Sequence, residues 1–189
     1  MNNLTVTDKI LRQTLLLIIP KWVTPNIVTW FRFATIPFVI YLFVQESYVY
    51  GLILFAISAF SDAVDGSLAR TRNQVSDWGK MYDPFADKLL IGAAALILVS
   101  RFLNIYLAGT IVGIEFFLIV SAFYRKRFQG KPIEAEFSGK IKMVLQSLAV
   151  VSILIAASFQ LPAFLTIAAY LLYLAVIFAI ISLVVYKSI

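Results

Sequence analysis

The sequence contains no cysteine and no histidine, and only 14% of its residues are charged. Without cysteine, thiol catalysis and disulfide cross-links are impossible. Without histidine there is no imidazole to act as a general base, and the usual nitrogen and sulfur ligands of zinc are both missing. Any chemistry in this chain therefore depends on carboxylates, amines, guanidinium groups, hydroxyls or a hard metal ion.

Apolar residues, by contrast, make up 61% of the 189 residues. A soluble domain is usually about 45–50% apolar and about 25% charged, so this excess indicates an integral membrane protein. A helix needs roughly 20 apolar residues to span about 30 Å of hydrocarbon. Such runs occur at residues 26–46, 48–69, 80–100, 103–124, 139–158 and 161–186. Because the links are short, we predict an all-α membrane protein with a single domain, residues 1–189, and a bundle of six transmembrane helices over residues 26–186.

The N-terminal segment, residues 1–22, differs from these runs. Its apolar stretch at residues 15–19 is too short to span a bilayer, and Pro20, Lys21 and Trp22 follow it. We therefore expect residues 7–19 to form an amphipathic helix that lies in the membrane interface, with Trp22 as its anchor. A cleaved signal peptide is the alternative, although no small-x-small cleavage site follows the apolar stretch.

Basic residues are concentrated in the N-terminal segment, the second link and the fourth link. They are Lys9, Arg12, Lys21, Arg70, Arg72, Lys80, Arg125, Lys126, Arg127, Lys131, Lys140 and Lys142. Links rich in basic residues thus alternate with links that have few. By the positive-inside rule, this alternation predicts a protein of the cell inner membrane with both termini and the active site on the cytoplasmic side. The formal charge of +6 suits anionic lipid headgroups. Nucleic acid is not an expected partner, because basic patches that bind it usually belong to soluble folds.

Four aspartates stand out in the stretch SDAVDGSLARTRNQVSDWGKMYDPFADK, residues 61–88. Asp62 and Asp65 are three positions apart, and Asp83 and Asp87 are four apart, so each pair shares one helix face. A short turn joins the two helices, which predicts antiparallel neighbours with converging carboxylates. An aspartate that faces lipid would cost about 2.5–3.5 kcal/mol of membrane-insertion free energy. Divalent cations would offset both this cost and the mutual repulsion, and oxygen-only ligands favour Mg²⁺, Mn²⁺ or Ca²⁺.

The residues around the aspartates favour a phosphate-containing ligand. Gly66 and Gly79 leave space for a bulky group to approach the backbone, and Ala69 keeps the same face small. Arg70 supplies a fork of donors suited to phosphate. Taken singly, small residues in membrane helices are more typical of helix packing, and a single buried aspartate is also typical of an ion pathway.

Together these positions form the pattern Asp62-x2-Asp65-Gly66-x2-Ala69-Arg70-x8-Gly79-x3-Asp83-x3-Asp87. This pattern resembles the complete signature of the CDP-alcohol phosphatidyltransferase family. The stretch PNIVTWFR at residues 25–32 resembles the first-helix pattern of that family. Two further stretches, DPFADKLL at 83–90 and SGKIKMVLQ at 138–146, are similar to bacterial phosphatidylglycerophosphate synthases and related cardiolipin synthases.

The resemblance implies a reaction and the residues that perform it. CDP-diacylglycerol would donate its phosphatidyl group to an alcohol, with sn-glycerol 3-phosphate the first choice, and CMP would leave. Asp62, Asp65, Asp83 and Asp87 would hold two Mg²⁺ or Mn²⁺ ions, with Asp87 also the general base. The residues implied for CDP binding are Asp62, Gly66, Ala69, Arg70, Gly79, Asn26 and Thr29. The family also implies a homodimer among membrane lipids.

The acceptor alcohol is less clearly indicated. A phosphorylated acceptor needs a cationic pocket, and the residues predicted for it are Arg32, Glu115, Arg125, Lys140 and Lys142. Phosphatidylglycerophosphate synthases typically carry Arg-Glu in the fourth helix, whereas this chain has Ile114-Glu115. Glu115 is expected to pair with Arg32 or with a lysine. The alternatives are a cardiolipin synthase that uses phosphatidylglycerol, a transferase for another polar alcohol and, from a different class, a cation transporter.

Overall fold

A computed structural model describes residues 19–20, 23–72, 77–128 and 137–187 of the chain. These residues form six α-helices and no strand, which confirms the all-α prediction for the part described. The helices are α1 (Pro25–Val44), α2 (Tyr48–Thr71), α3 (Asp77–Phe102), α4 (Ile105–Phe128), α5 (Phe137–Phe159) and α6 (Ala163–Lys187). The predicted interfacial helix and Trp22 lie outside the described residues except for Ile19 and Pro20.

Local sequence explains where α1 begins and how two of the links turn. Thr24 caps α1, since its hydroxyl accepts a 3.4 Å hydrogen bond from the Ile27 amide, and Pro25 occupies the first turn, where no amide hydrogen is needed. The link from α1 to α2 turns at Glu46, with φ at 58°, and the link from α5 to α6 turns at Gln160, with φ at 55°. Both residues adopt the left-handed conformation that reverses the chain in few residues.

Four of the described helices are long and apolar enough to cross a membrane. These segments are Pro25–Val44, Tyr48–Thr71, Ser138–Phe159 and Ala163–Leu183. The apolar part of α4 is shorter, at Ile105–Ser121. Helix α3 is 26 residues long, but Asp83, Asp87 and Lys88 interrupt its apolar character. The prediction of six spans therefore remains a prediction for α3 and α4.

The chain divides into two compact units. The first comprises Met1–Gln45 and Tyr50–Leu90, and the second comprises Glu46–Val49 and Ile91–Ile189. In the first unit α1 and α2 run antiparallel, because Phe43 packs on Gly51 at one end while Arg32 meets Ser61 towards the other. In the second unit α5 packs along α6. The fully buried core there includes Leu98, Ile153, Leu154 and Leu172.

Candidate active site

Arg32 of α1 joins two of the predicted metal-binding aspartates. Its Nη1 donates a 2.8 Å hydrogen bond to Oδ1 of Asp62, and its Nη2 donates a 2.7 Å bond to Oδ2 of Asp65. Its Nε donates to the Ser61 hydroxyl at 3.3 Å. The side chain is fully buried. The guanidinium fork is therefore spread over two carboxylates of α2, which it holds side by side.

A buried polar chain between α1 and α2 holds Arg32 in this position. The Thr35 hydroxyl donates to the Arg32 carbonyl at 2.8 Å and lies 2.8 Å from the Ser58 hydroxyl. The Ser61 hydroxyl donates to the Ser58 carbonyl at 2.6 Å. All four side chains are buried. Satisfied polar groups of this kind make a helix interface specific, because each would be costly if left without a partner.

The third aspartate reaches α1 one turn earlier. The Thr29 hydroxyl donates a 2.5 Å hydrogen bond to Oδ1 of Asp83. Phe33 packs near Phe85, with ring centroids 6.2 Å apart, so α1 and this part of α3 run parallel. Since α2 is antiparallel to α1, α2 and α3 have the antiparallel relation that the sequence predicted. Thr29 and Arg32 are three positions apart, and one face of α1 therefore contacts carboxylates from both other helices.

The four aspartates differ in their access to solvent. Asp65 is 2% exposed, whereas the Asp62 side chain is 48% exposed. Asp83 and Asp87 are partly buried. The Asp87 carboxylate lies close enough to Asp62 and Arg32 to interact electrostatically with both. The carboxylates thus share one region of the first unit, with Asp65 at its closed end and Asp62 at its accessible side.

The donor set can be compared with the needs of a divalent ion. Its members are carboxylate and hydroxyl oxygens, the ligands that Mg²⁺ and Mn²⁺ prefer. Arg32 engages one oxygen of Asp62 and one of Asp65, which leaves the second oxygen of each outside this contact. In the described part of the chain, no three acidic side chains are grouped tightly enough to enclose an ion as they stand. The chemistry of these oxygens fits such an ion.

The predicted CDP-binding residues other than Gly79 occupy the last turns of α2 and the first turns of α1. A Cβ added to Gly66 would lie 3.2 Å from Nη1 of Arg70, so the missing side chain makes room for that guanidinium. Ala69 is partly buried on the same helix. Asn26 is partly buried in the first turn of α1, and Thr29 is fully buried. Gly79 belongs to α3, but its surroundings lie outside the described residues.

The predicted acceptor residues other than Arg32 belong to the second unit. Lys142 of α5 forms an ion pair with Glu115 of α4, which supplies the lysine partner that was expected for Glu115. The two side chains are 3% and 12% exposed, and Oε2 of Glu115 has no hydrogen-bond partner among the described residues. Lys140 is exposed. Arg125 lies in α4, but its side chain is outside the described residues.

Sequence reasoning missed the partners of two arginines. The sequence predicts acceptor binding for Arg32 but not its contacts with Asp62 and Asp65. An arginine inside an apolar run needs carboxylate partners, and this signal could have found the contact. For Arg72 the sequence predicts only a contribution to the positive-inside topology. It donates to the backbone carbonyls of Ile19, Pro20 and Val23 at 2.9–3.2 Å, and so ties the end of α2 to the segment before α1.

Comparison with known proteins supports the resemblance seen in the motif. The chain is 39% identical over 80 residues to the CDP-diacylglycerol–glycerol-3-phosphate 3-phosphatidyltransferase of Rickettsia typhi, covering 41% of this chain and 45% of the relative. It is 36% identical over 113 residues to the Bacillus subtilis protein of that name, covering 59% and 58%. It is 32% identical over 123 residues to the cardiolipin synthase (CMP-forming) of Streptomyces coelicolor, covering 61% and 57%.

The matched regions span about half the length of these curated relatives. A family model covers much more of the chain. The model of the CDP-alcohol phosphatidyltransferases matches residues 22–182, a range that contains α1 to α5 and all four aspartates of the site. The chain therefore belongs to the CDP-alcohol phosphatidyltransferase family.

Proposed function

We propose that this protein transfers the phosphatidyl group of CDP-diacylglycerol to an alcohol, most favourably sn-glycerol 3-phosphate, with release of CMP. The observation that carries the proposal is the gathering of Asp62, Asp65 and Asp83 around one face of α1, in a chain that belongs to this family. The site would lie at the cytoplasmic side of the inner membrane. There the lipid tails of the substrate stay in the bilayer and its nucleotide stays in water.

The four aspartates would hold two Mg²⁺ or Mn²⁺ ions. Such ions neutralise charge on a diphosphate and make CMP a better leaving group. The residues of the chain would orient this arrangement. Thr29 holds Asp83 by its hydroxyl, and Arg32 holds Asp62 and Asp65 by its guanidinium. The accessible face of Asp62 and the space beside Gly66, where Arg70 lies, would receive the diphosphate and the CDP.

Asp87 would remove the proton from the acceptor hydroxyl. The chain has no histidine, so a carboxylate is the available base near the other ligands. Asp87 follows Asp83 by one helical turn and interacts electrostatically with Asp62. The deprotonated hydroxyl would attack the phosphorus nearest the diacylglycerol. The bond from that phosphorus to the CMP oxygen would break, and CMP would leave with the electron pair.

Lys142 and Lys140, with Glu115 and Arg125, are proposed to recognise the acceptor. A lysine ammonium suits the phosphate of glycerol 3-phosphate as a compact point charge. Glu115 balances the charge of Lys142 in a buried environment. Arg32 is better assigned to the carboxylate cluster than to the acceptor, because each of its three guanidinium nitrogens donates a hydrogen bond there.

A cardiolipin synthase that uses phosphatidylglycerol is the second candidate. The Streptomyces coelicolor relative carries that name, and the match to it covers 61% of this chain. The fourth helix also lacks the Arg-Glu pair typical of phosphatidylglycerophosphate synthases, because Ile114 precedes Glu115. Both candidates require the same carboxylate site and differ only in the acceptor.

The test is a product assay with purified protein in lipid–detergent micelles. CDP-diacylglycerol and Mg²⁺ or Mn²⁺ are incubated with glycerol 3-phosphate, phosphatidylglycerol, inositol phosphate or serine, and CMP and the lipid product are identified by mass spectrometry. We expect CMP release with glycerol 3-phosphate. CMP release with phosphatidylglycerol alone would instead support the second candidate, a cardiolipin synthase. No release with any acceptor, in several lipid compositions, would contradict the proposed function.

A further inference from the structure

Arg32 carries a full positive charge at a site where a divalent cation is proposed to bind. Its side chain is completely buried. A buried charge is tolerated only when it is paired and hydrogen-bonded. Here the pairing is with Asp62 and Asp65, which repel each other as like charges. Arg32 and the two carboxylates therefore neutralise each other's charge.

The position of the guanidinium does not depend on the aspartates alone. Nε is bound by the Ser61 hydroxyl, and the backbone of Arg32 is bound by Thr35, which in turn meets Ser58. These groups are buried in the contact between α1 and α2. The positive charge is thus built into the helix pair.

We propose that Arg32 is an internal counter-cation that stabilises the metal-free site and, by competing for Asp62 and Asp65, weakens their binding of a divalent cation. The inference rests on the proposed function, because that function supplies the cation. Two effects work together. The fixed charge repels an incoming cation, and the guanidinium engages one oxygen of each carboxylate that the cation would need. The ion would consequently be exchangeable, and the protein would remain folded without it.

Two other roles for Arg32 make different predictions. If Arg32 serves only to hold α1 against α2, its removal lowers stability equally with and without the cation and leaves cation affinity unchanged. If Arg32 aligns the carboxylates for the cation, its removal weakens binding. Only an internal competitor predicts tighter binding together with a loss of stability that the cation restores.

The experiment uses the full chain, purified in detergent and stripped of metal with a chelator, and compares wild type with Arg32→Gln. Mn²⁺ binding is measured without substrate, from the electron paramagnetic resonance signal of the free ion. We expect the Kd for Mn²⁺ to fall on the order of tenfold in the variant. Its melting temperature should be lower than that of wild type without Mn²⁺, and saturating Mn²⁺ should raise it by a larger increment.

A second variant decides the question if Arg32→Gln does not fold. Ser61→Ala removes the hydrogen bond to Nε, together with the bond from this hydroxyl to the Ser58 carbonyl, and leaves both aspartates in place. It should lower the Kd for Mn²⁺ about two- to threefold, because the guanidinium is held less firmly. Arg101→Gln is the matched control. Arg101 pairs with Glu46 and Tyr48 in the second unit, so its loss should leave Mn²⁺ affinity unchanged.

An unchanged or higher Kd in Arg32→Gln, or in Ser61→Ala if Arg32→Gln does not fold, would overturn the proposal. Failure of the proposed function has a different signature, because binding is measured without turnover. Mn²⁺ binding that tightens as expected, in a protein that releases CMP with no acceptor, would contradict the function and leave the role of Arg32 intact. Turnover with glycerol 3-phosphate, together with Mn²⁺ binding that does not tighten, would support the proposed function and contradict the role of Arg32.

Discussion

The two units each contain a buried ion pair, and the two pairs are built differently. In the first unit one arginine bridges two carboxylates, and a third contact fixes its Nε to Ser61. In the second unit one lysine meets one carboxylate, and Oε2 of Glu115 keeps unused hydrogen-bonding capacity among the described residues. A guanidinium fork can organise several partners at once, whereas an ammonium acts as a point charge. The first pair therefore organises two carboxylates at once, whereas the second leaves one carboxylate oxygen without a hydrogen bond among the described residues.

The largest expected effect is on turnover, in the first unit. Asp87→Asn removes the proposed base while keeping its shape, and we expect the rate of CMP release to fall by about 10²–10⁴-fold. The measurement is kcat with saturating CDP-diacylglycerol, acceptor and Mn²⁺. Asp77→Asn, on the same helix and at an unspecified position of the predicted motif, is the control. Substantial turnover by Asp87→Asn at saturating metal would show that another group is the base.

Removing the lysine of the second pair should chiefly affect stability. Lys142→Met leaves the Glu115 carboxylate buried without its partner, and this costs about 3–5 kcal/mol of unfolding free energy. Adding Glu115→Gln to the same chain should recover part of that loss, because the unpaired charge is then gone. Lys140→Met, at an exposed position two residues away, should change stability by no more than about 0.5 kcal/mol.

Denaturant or thermal unfolding in detergent measures these differences. The same variants sharpen the comparison functionally. If Lys142 contacts the acceptor, the double variant should regain stability but keep a raised KM for glycerol 3-phosphate. Recovery of both stability and KM would mean that the pair only holds α4 against α5.

The two units also differ in how tightly the chain packs around one of their glycines. In the first unit a Cβ at Gly51 would lie 2.6 Å from Cε1 of Phe43, which is itself fully buried. Gly51→Ala should therefore destabilise the protein by about 1–3 kcal/mol through overpacking. In the second unit a Cβ at Gly92 would meet no atom within 4 Å, and Gly92→Ala should be neutral or stabilising by about 0.5–1 kcal/mol. Equal melting temperatures for the two variants would contradict this difference in packing.

The smallest effect is expected at the exposed ion pair between Arg101 and Glu46. The two groups lie 3.1 Å apart, but their side chains are 38% and 65% exposed. Exposed pairs contribute about 0–1 kcal/mol, and less at high salt. Glu46→Gln should therefore lower the melting temperature only slightly, and 0.5 M NaCl should remove the difference from wild type. If Glu46→Gln lost as much stability as Lys142→Met, this pair would be far better shielded from water than its exposure indicates.

Several features of the site were accessible from the sequence because they depend on local spacing. The intervals between Asp62 and Asp65 and between Asp83 and Asp87 predicted that each pair shares a helix face. The four carboxylates do lie in one region of the first unit. The predicted starts of the first two spans, at residues 26 and 48, agree closely with Pro25 and Tyr48. Helix periodicity and apolar length are properties of a single segment, so no knowledge of its neighbours was required.

The sequence alone determined the helical class, the family signature and the set of oxygen and guanidinium groups available for chemistry. The tertiary structure decided which of these groups meet. It paired Arg32 with Asp62 and Asp65, Thr29 with Asp83, and Lys142 with Glu115. The physical reason is that a buried charge is stabilised only by partners within about 4 Å, and that distance is set by how helices far apart in sequence pack together.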